Sequence, residues 1–283
     1  MGTPPSIDRR RFVALSGTAL AAALAGCAGG DGDGGNGETP TETTAAPTET
    51  TAAETTGETT EQTTEQTETT EEPQGFLRAA HMSPDAPAVD VYVNDEPAFE
   101  GAEFTGVTPY AQLPPEEYDV RITAAGDEET VVFDEAVPVE AGYQTALAFG
   151  EVGADEGADT AFSVGLLADQ AETSDDQAAV RLFHGSPDAP AVDVTVEGSE
   201  DVLFDGAAFG DTTDYATVEP GSYTLEVRPD TEDGTGDVVT TFDVSLESGT
   251  AYTGYAVGYL EPSGDQPEFD LATSIDGMEA QVR

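Results

Sequence analysis

HMSPDAPAVDVYVND, residues 81–95, returns almost unchanged as HGSPDAPAVDVTVEG at residues 184–198. The two histidines of the chain, His81 and His184, open the two copies. Ser-Pro-Asp-Ala-Pro is turn chemistry, because proline fixes φ, aspartate bonds nearby backbone amides and each proline biases its predecessor toward extended geometry. After the corner, Val89, Val91 and Val93 alternate with Asp90 and Tyr92, as Val192, Val194 and Val196 alternate with Asp193 and Thr195. Alternation of this kind marks a half-buried strand. Before it, Leu77, Ala79 and His81 share one face, as do Val180, Leu182 and His184. The stretch therefore reads strand, corner, strand, and it reads so twice.

Working outward, the copies match well beyond the string: Arg78 with Arg181, Phe104 with Phe209, Tyr110 with Tyr215, Tyr118 with Tyr223, Phe133 with Phe242 and Gly142 with Gly249. EYDVRITA (117–124) and SYTLEVRP (222–229) repeat the two-residue period, and turn signals such as PPEE, EPGS, EAG and ESG separate them from further apolar runs. Tyr118 and Tyr223 each follow a proline turn, which suits core tyrosines whose hydroxyls anchor the corner. About seven short strands in each unit of roughly a hundred residues predict an all-β fold of two tandem antiparallel β-sandwich domains, Ig-like or transthyretin-like. The units span 76–169 and 178–283, with an acidic linker at 170–177.

The N-terminal 1–27 reads as a targeting segment. Arg9, Arg10 and Phe12 stand where a twin-arginine signal places its RRxF, ahead of a mildly apolar run too short to span a bilayer. Leu24-Ala25-Gly26-Cys27 closes that run and resembles a lipobox. Cys27, the one cysteine of the chain, falls at the cleavage position and is the expected lipidation site. Residues 28–75 are built mainly from Thr, Glu, Gly, Ala, Gln and Pro without an aromatic, a large aliphatic or a basic residue, a composition that predicts a disordered, self-repelling stalk. The expected placement is the extracellular face of the cell membrane, held by lipid.

With 58 acidic residues against 8 arginines and lysines, the formal net charge is −50, and no lysine occurs. Nucleic acid is excluded as a partner, since phosphate binding needs clustered cations. Such a carboxylate coat is soluble through self-repulsion that molar salt screens, and it points to a halophilic, haloarchaeal source.

The histidine turns are the candidate sites. In the structural reading His81 and His184 close the first strand from inside, each ring bonded to a turn carbonyl or to Asp85 or Asp188, because a buried polar group needs a partner. In the other reading His81, Asp85 and Asp90, with His184, Asp188 and Asp193, ligate a divalent cation or small ligand, Ser83 and Ser186 completing the motif. His81 and Asp85, with His184 and Asp188, are the weak metal candidates, and Asp90 should point away from the histidine face. Catalysis finds little support: GxSxG and HExxH are missing, and a triad from His81, Asp85 and Ser83 would be crowded into one turn. Carboxylate pairs for a hydrolase occur by chance among so many acids. No cofactor is called for, and the acid clusters lack the spacing of calcium loops.

From Arg78 onward the pattern R-x-x-H-x-S-P-D-A-P-x-V-D-V, followed by the tyrosine entry at Tyr118 into Val-Arg-Ile, resembles the repeat filed as domain of unknown function 4397. The resemblance covers most of residues 76–283 in two copies. It implies a secreted or surface-exposed, often tandem, β-rich module with no assigned activity or catalytic residues. The second copy departs from the first in having Thr195 for Tyr92 and an extra residue after Gly249. The expected function is a lipid-anchored surface protein whose two non-enzymatic modules meet a cell-envelope protein or glycan.

Overall fold

A computed structural model describes residues 73–155, 157–170, 173–199, 202–231 and 234–277. The expected signal at 1–27, with Arg9, Arg10, Phe12 and Cys27, lies outside the described residues, as does nearly all of the stalk. The first repeat contributes β1 (Gly75–Met82), β2 (Val89–Val93), β3 (Glu96–Ala102), β4 (Ala111–Leu113), β5 (Glu117–Ala124), β6 (Asp127–Pro138), β7 (Gly142–Phe149) and β8 (Ser163–Asp169). The second contributes β9 (Ala178–His184), β10 (Val192–Val196), β11 (Val202–Ala207), β12 (Ala216–Val218), β13 (Gly221–Pro229), β14 (Thr240–Leu246), β15 (Ala251–Val257) and β16 (Asp270–Asp276).

Each repeat is a two-sheet sandwich with one extra strand over the seven expected. One sheet is ordered β4-β1-β7-β8 in the first repeat and β12-β9-β15-β16 in the second; the other is β3-β2-β5-β6 and β11-β10-β13-β14. The SPDAP corner carries the chain from the former sheet into the latter. The return from β6 sets β7 beside β1 in the same direction, so Gly75 to Met82 pair in parallel with Gly142 to Phe149, and β9 pairs in parallel with β15. The other strand pairs are antiparallel, as expected of the sandwich.

Leu77, Val89, Val91, Tyr118, Val120 and Ile122 lead the first core, and Val180, Leu182, Val192, Val194, Phe204 and Val227 the second. Tyr118 Oη donates to the Pro114 carbonyl at 3.0 Å and Tyr223 Oη to that of Glu219 at 2.6 Å, which ties each proline turn to its strand as the sequence suggested. The match of Phe133 with Phe242 is out of register: Phe133 lies opposite Ile122, whereas Phe242 lies opposite Leu225, the counterpart of Val120. The loops around these strands differ in length, and an alignment on residue type follows the phenylalanine instead of the ladder.

A third cluster joins the repeats. Ala80, Met82 and Leu147 of the first pack with Phe183, Tyr255 and Val257 of the second, and the Phe149 and Phe183 rings meet edge-on at 5.1 Å. The sheets containing β1 and β9 thus face each other, and these strands are covered on both sides. Leu77 looks into its own sandwich while Arg78, Ala80 and Met82, in opposite phase, look into the other repeat.

Candidate functional site

The histidines sit on the inward face, as their spacing from Leu77 and Val180 requires. His81 Nε2 bonds the Pro87 carbonyl at 3.1 Å while Nδ1 accepts from the Ser83 amide at 3.4 Å. His184 repeats this with Pro190 at 3.1 Å and Ser186 at 3.3 Å. A ring that donates at Nε2 and accepts at Nδ1 is neutral. Burial, against the pull of the proline carbonyl, holds both imidazoles below the ordinary histidine pKa.

The other motif residues are equally committed. Ser83 Oγ donates to the Gly150 carbonyl at 2.5 Å. Asp85 does not fold back on its own turn or onto His81: its two oxygens accept from the amides of Val152 and Gly153, both at 2.8 Å. Asp188 likewise takes the amides of Leu260 and Glu261 at 2.7 and 2.8 Å, with Ser186 Oγ at 3.3 Å. The motif aspartate therefore fastens the loop after β7 or β15. The glycine that starts this loop has positive φ in both repeats, Gly150 at 83° and Gly258 at 85°. A Cβ there would come within 2.6 Å of the Ala161 oxygen or 2.2 Å of the Glu268 oxygen, so only glycine allows the approach.

Asp90 and Asp193 point away from the histidine face, as predicted, yet they are buried. Asp90 accepts from the amides of Gly101 and Gly126 at 2.7 and 2.9 Å, and Asp193 from those of Gly206 and Thr231 at 2.9 and 3.0 Å. Each pins the bulged hairpin of its outer sheet to the next turn. The metal candidates His81, Asp85 and Asp90, with their equivalents, are not brought together: each is aimed at a different stretch of backbone. The close carboxylate group among the described residues is instead Asp193, Asp205 and Asp230, of which the last two are exposed.

Protonation reaches this arrangement through the histidines. Because the folded state disfavours the imidazolium, stability is fully present above the unfolded histidine pKa of about 6.5 and declines as pH falls through the lower folded values. The expected slope is at most about 1.4 kcal/mol per pH unit for each histidine. Denaturant titrations from about pH 7.5 to 5.5 should show the decline in the native chain and lose it in H81Q/H184Q. An identical slope in both chains would refute the assignment.

A second polar centre lies between the repeats. Arg78, 2% exposed, donates through Nε to Thr145 Oγ1 at 2.8 Å, through Nη1 to the Ile275 carbonyl at 2.7 Å, and through Nη2 to Ser274 and Asp276 of the other repeat. Arg181 mirrors it, bonding Thr253 at 2.8 Å within its own repeat and, across the contact, the Ala168 carbonyl at 2.7 Å and Asp169. Asp169 also accepts from Tyr110 and Thr145, and Asp276 from Tyr215 and Thr253, all at 2.6 Å. Each guanidinium lies over the tyrosine of its own repeat, 4.6 Å from the Tyr110 ring and 4.7 Å from that of Tyr215. Burial raises the Asp276 pKa, partly opposed by Arg78. Two arginines and two aspartates balance, so the centre is neutral within a strongly acidic chain. The matched pairs Arg78/Arg181 and Tyr110/Tyr215 were visible in the sequence, and the signal left unread was that they belong with Asp169 and Asp276, the last residues of β8 and β16.

A protein-family model described as "Domain of unknown function (DUF4397)" matches residues 75–195 and again residues 178–281. No curated protein matches the chain significantly. Among solved structures the chain is similar to the Bacillus anthracis TIE protein, at 12% identity and a TM-score of 0.21, covering 66% of this chain and 34% of that one. It thus spans about a third of that protein's length. It is also similar to CBMbc, a family 26 carbohydrate-binding module from Eubacterium rectale in complex with maltoheptaose, at 11% identity and a TM-score of 0.21, covering 70% of this chain and 95% of that one. Likeness at this level carries no functional argument.

Proposed function

Because the chain belongs to the DUF4397 family, whose model matches it twice over, we propose that it is a non-enzymatic surface protein whose paired sandwiches form one binding head. In this reading the twin-arginine signal exports the chain, lipid on Cys27 anchors it to the outer face of the cell membrane, and the acidic stalk holds the head away from the bilayer. The head then meets a cell-envelope protein or glycan.

One observation carries the non-enzymatic part. The histidine, the serine and the two aspartates that both copies of the string share are all bonded inside their own repeat, and no imidazole base is paired with a nucleophile among them. A catalytic group must reach a reacting atom, and these reach backbone or, for Ser186, the neighbouring Asp188.

The anchoring is tested by fractionation: the native protein should sediment with membranes and Cys27→Ser should appear in the medium. Recovery of both in the membrane pellet would reject lipid anchoring. The binding role is tested by titrating fluorescent head onto intact envelopes in molar KCl, where saturable retention is expected. Unsaturable retention, or turnover on a hydrolase substrate panel, would overturn the reading.

A further inference from the structure

The two sandwiches share a fold but differ inside. Between its sheets the second holds a cavity of about 380 Å³, whereas the equivalent space in the first is about 30 Å³. Ladder register aligns the two linings, and the changes run both ways: Leu182, Leu225 and Leu271 stand where the first repeat has Ala79, Val120 and Val164. On the floor, Gly254 stands where the first repeat has Ala146, Thr273 where it has Leu166, and Val227 where it has Ile122. At the rim the change runs from polar to apolar, with Phe242 for Glu135 and Tyr252 for Gln144. The apolar lining extends to the sheet edge, where exposed Asp243 on β14 and Asp270 on β16 mark the mouth.

Apolar walls of this extent gain when a ligand removes them from water. Water finds partners at the edge, where Asp243, Ser245 and Asp270 lie, and few against the valine, leucine and phenylalanine walls. The volume is that of a small-molecule site. We infer that the second sandwich binds a neutral, mainly apolar small molecule between its sheets, entering between β14 and β16. The charge of −50 repels anions. Arg181, the cation in the lining, is already committed to Thr253 and Asp169. Among the described residues, the buried side-chain polar atoms without partners, Thr123 Oγ1 and Tyr143 Oη, belong to the first repeat, so the cavity makes no demand for a polar ligand. This inference is independent of how the chain is anchored and of what the head meets.

The neutral probe N-phenylnaphthylamine, titrated into the full chain in molar KCl, should give saturable fluorescence with one site per chain. Narrowing the floor in T273L/V227I should weaken binding about tenfold or more. F242E, at the half-buried rim of the lining, should weaken it too and decides the matter if the floor variant fails to fold by circular dichroism. Absence of saturable binding to the native chain, or undiminished affinity in a folded variant, would overturn the inference.

Discussion

Arg78→Met is expected to lower the unfolding free energy by about 3–5 kcal/mol, the usual consequence of leaving a buried charge without its partner. The stranded group is Asp276, 2% exposed, which would keep the hydroxyls of Tyr215 and Thr253 but lose its cation. Its pKa, already raised by burial, should rise further. A carboxylate whose folded pKa exceeds its unfolded value binds more protons when folded, so the variant should regain stability as pH falls through the folded value toward the unfolded one. D276N in the same background removes the charge and keeps an acceptor for both hydroxyls, and should recover more than half of the loss. Denaturant titration in molar salt measures all three chains. A loss for R78M within about 1 kcal/mol, the range of an exposed pair, would mean that the contact is open to solvent.

Phe183→Ala should also cost about 3–5 kcal/mol, since the ring is buried among Phe149, Tyr255 and the aliphatic residues of both repeats. The effect should differ in kind as well as size. Phe183 belongs to the cluster that couples the sandwiches, whereas Leu77 or Val192 stabilises only its own. The native head is expected to unfold in a single calorimetric transition, and F183A in two, one for each repeat. A single sharp transition in the variant would show that the arginine–aspartate centre alone keeps the repeats coupled.

Much of this architecture was legible because a β-strand exposes its burial pattern at period two. The alternation around Val89 and Val192, the proline corners and the tyrosines after them placed the strands, the sandwich and the inward histidines. What could not be read has a common cause, partners distant in sequence. Asp85 is bonded 67 residues away, and no local pattern distinguishes that from an Asx turn. Arg78 and Arg181 stand in the phase opposite Leu77 and Val180, where a charged residue ordinarily meets solvent. The hint was in AAVRLFH of β9, apolar on both faces and buried at every position, as a strand covered from two sides must be. The cavity was hidden for another reason: which residues of the two linings correspond is settled only by the ladders.

The crossing of the two ion pairs has one more consequence. Arg78 and Asp169 belong to the same repeat and each engages the other repeat's counterpart of its sibling, so either sandwich carries both halves of one self-complementary face. This is the form of an isologous dimer contact. Joined by a few residues, the two faces meet at an effective concentration set by the tether instead of by the number of molecules present. The head is a homodimer in its geometry and a monomer in its response to dilution.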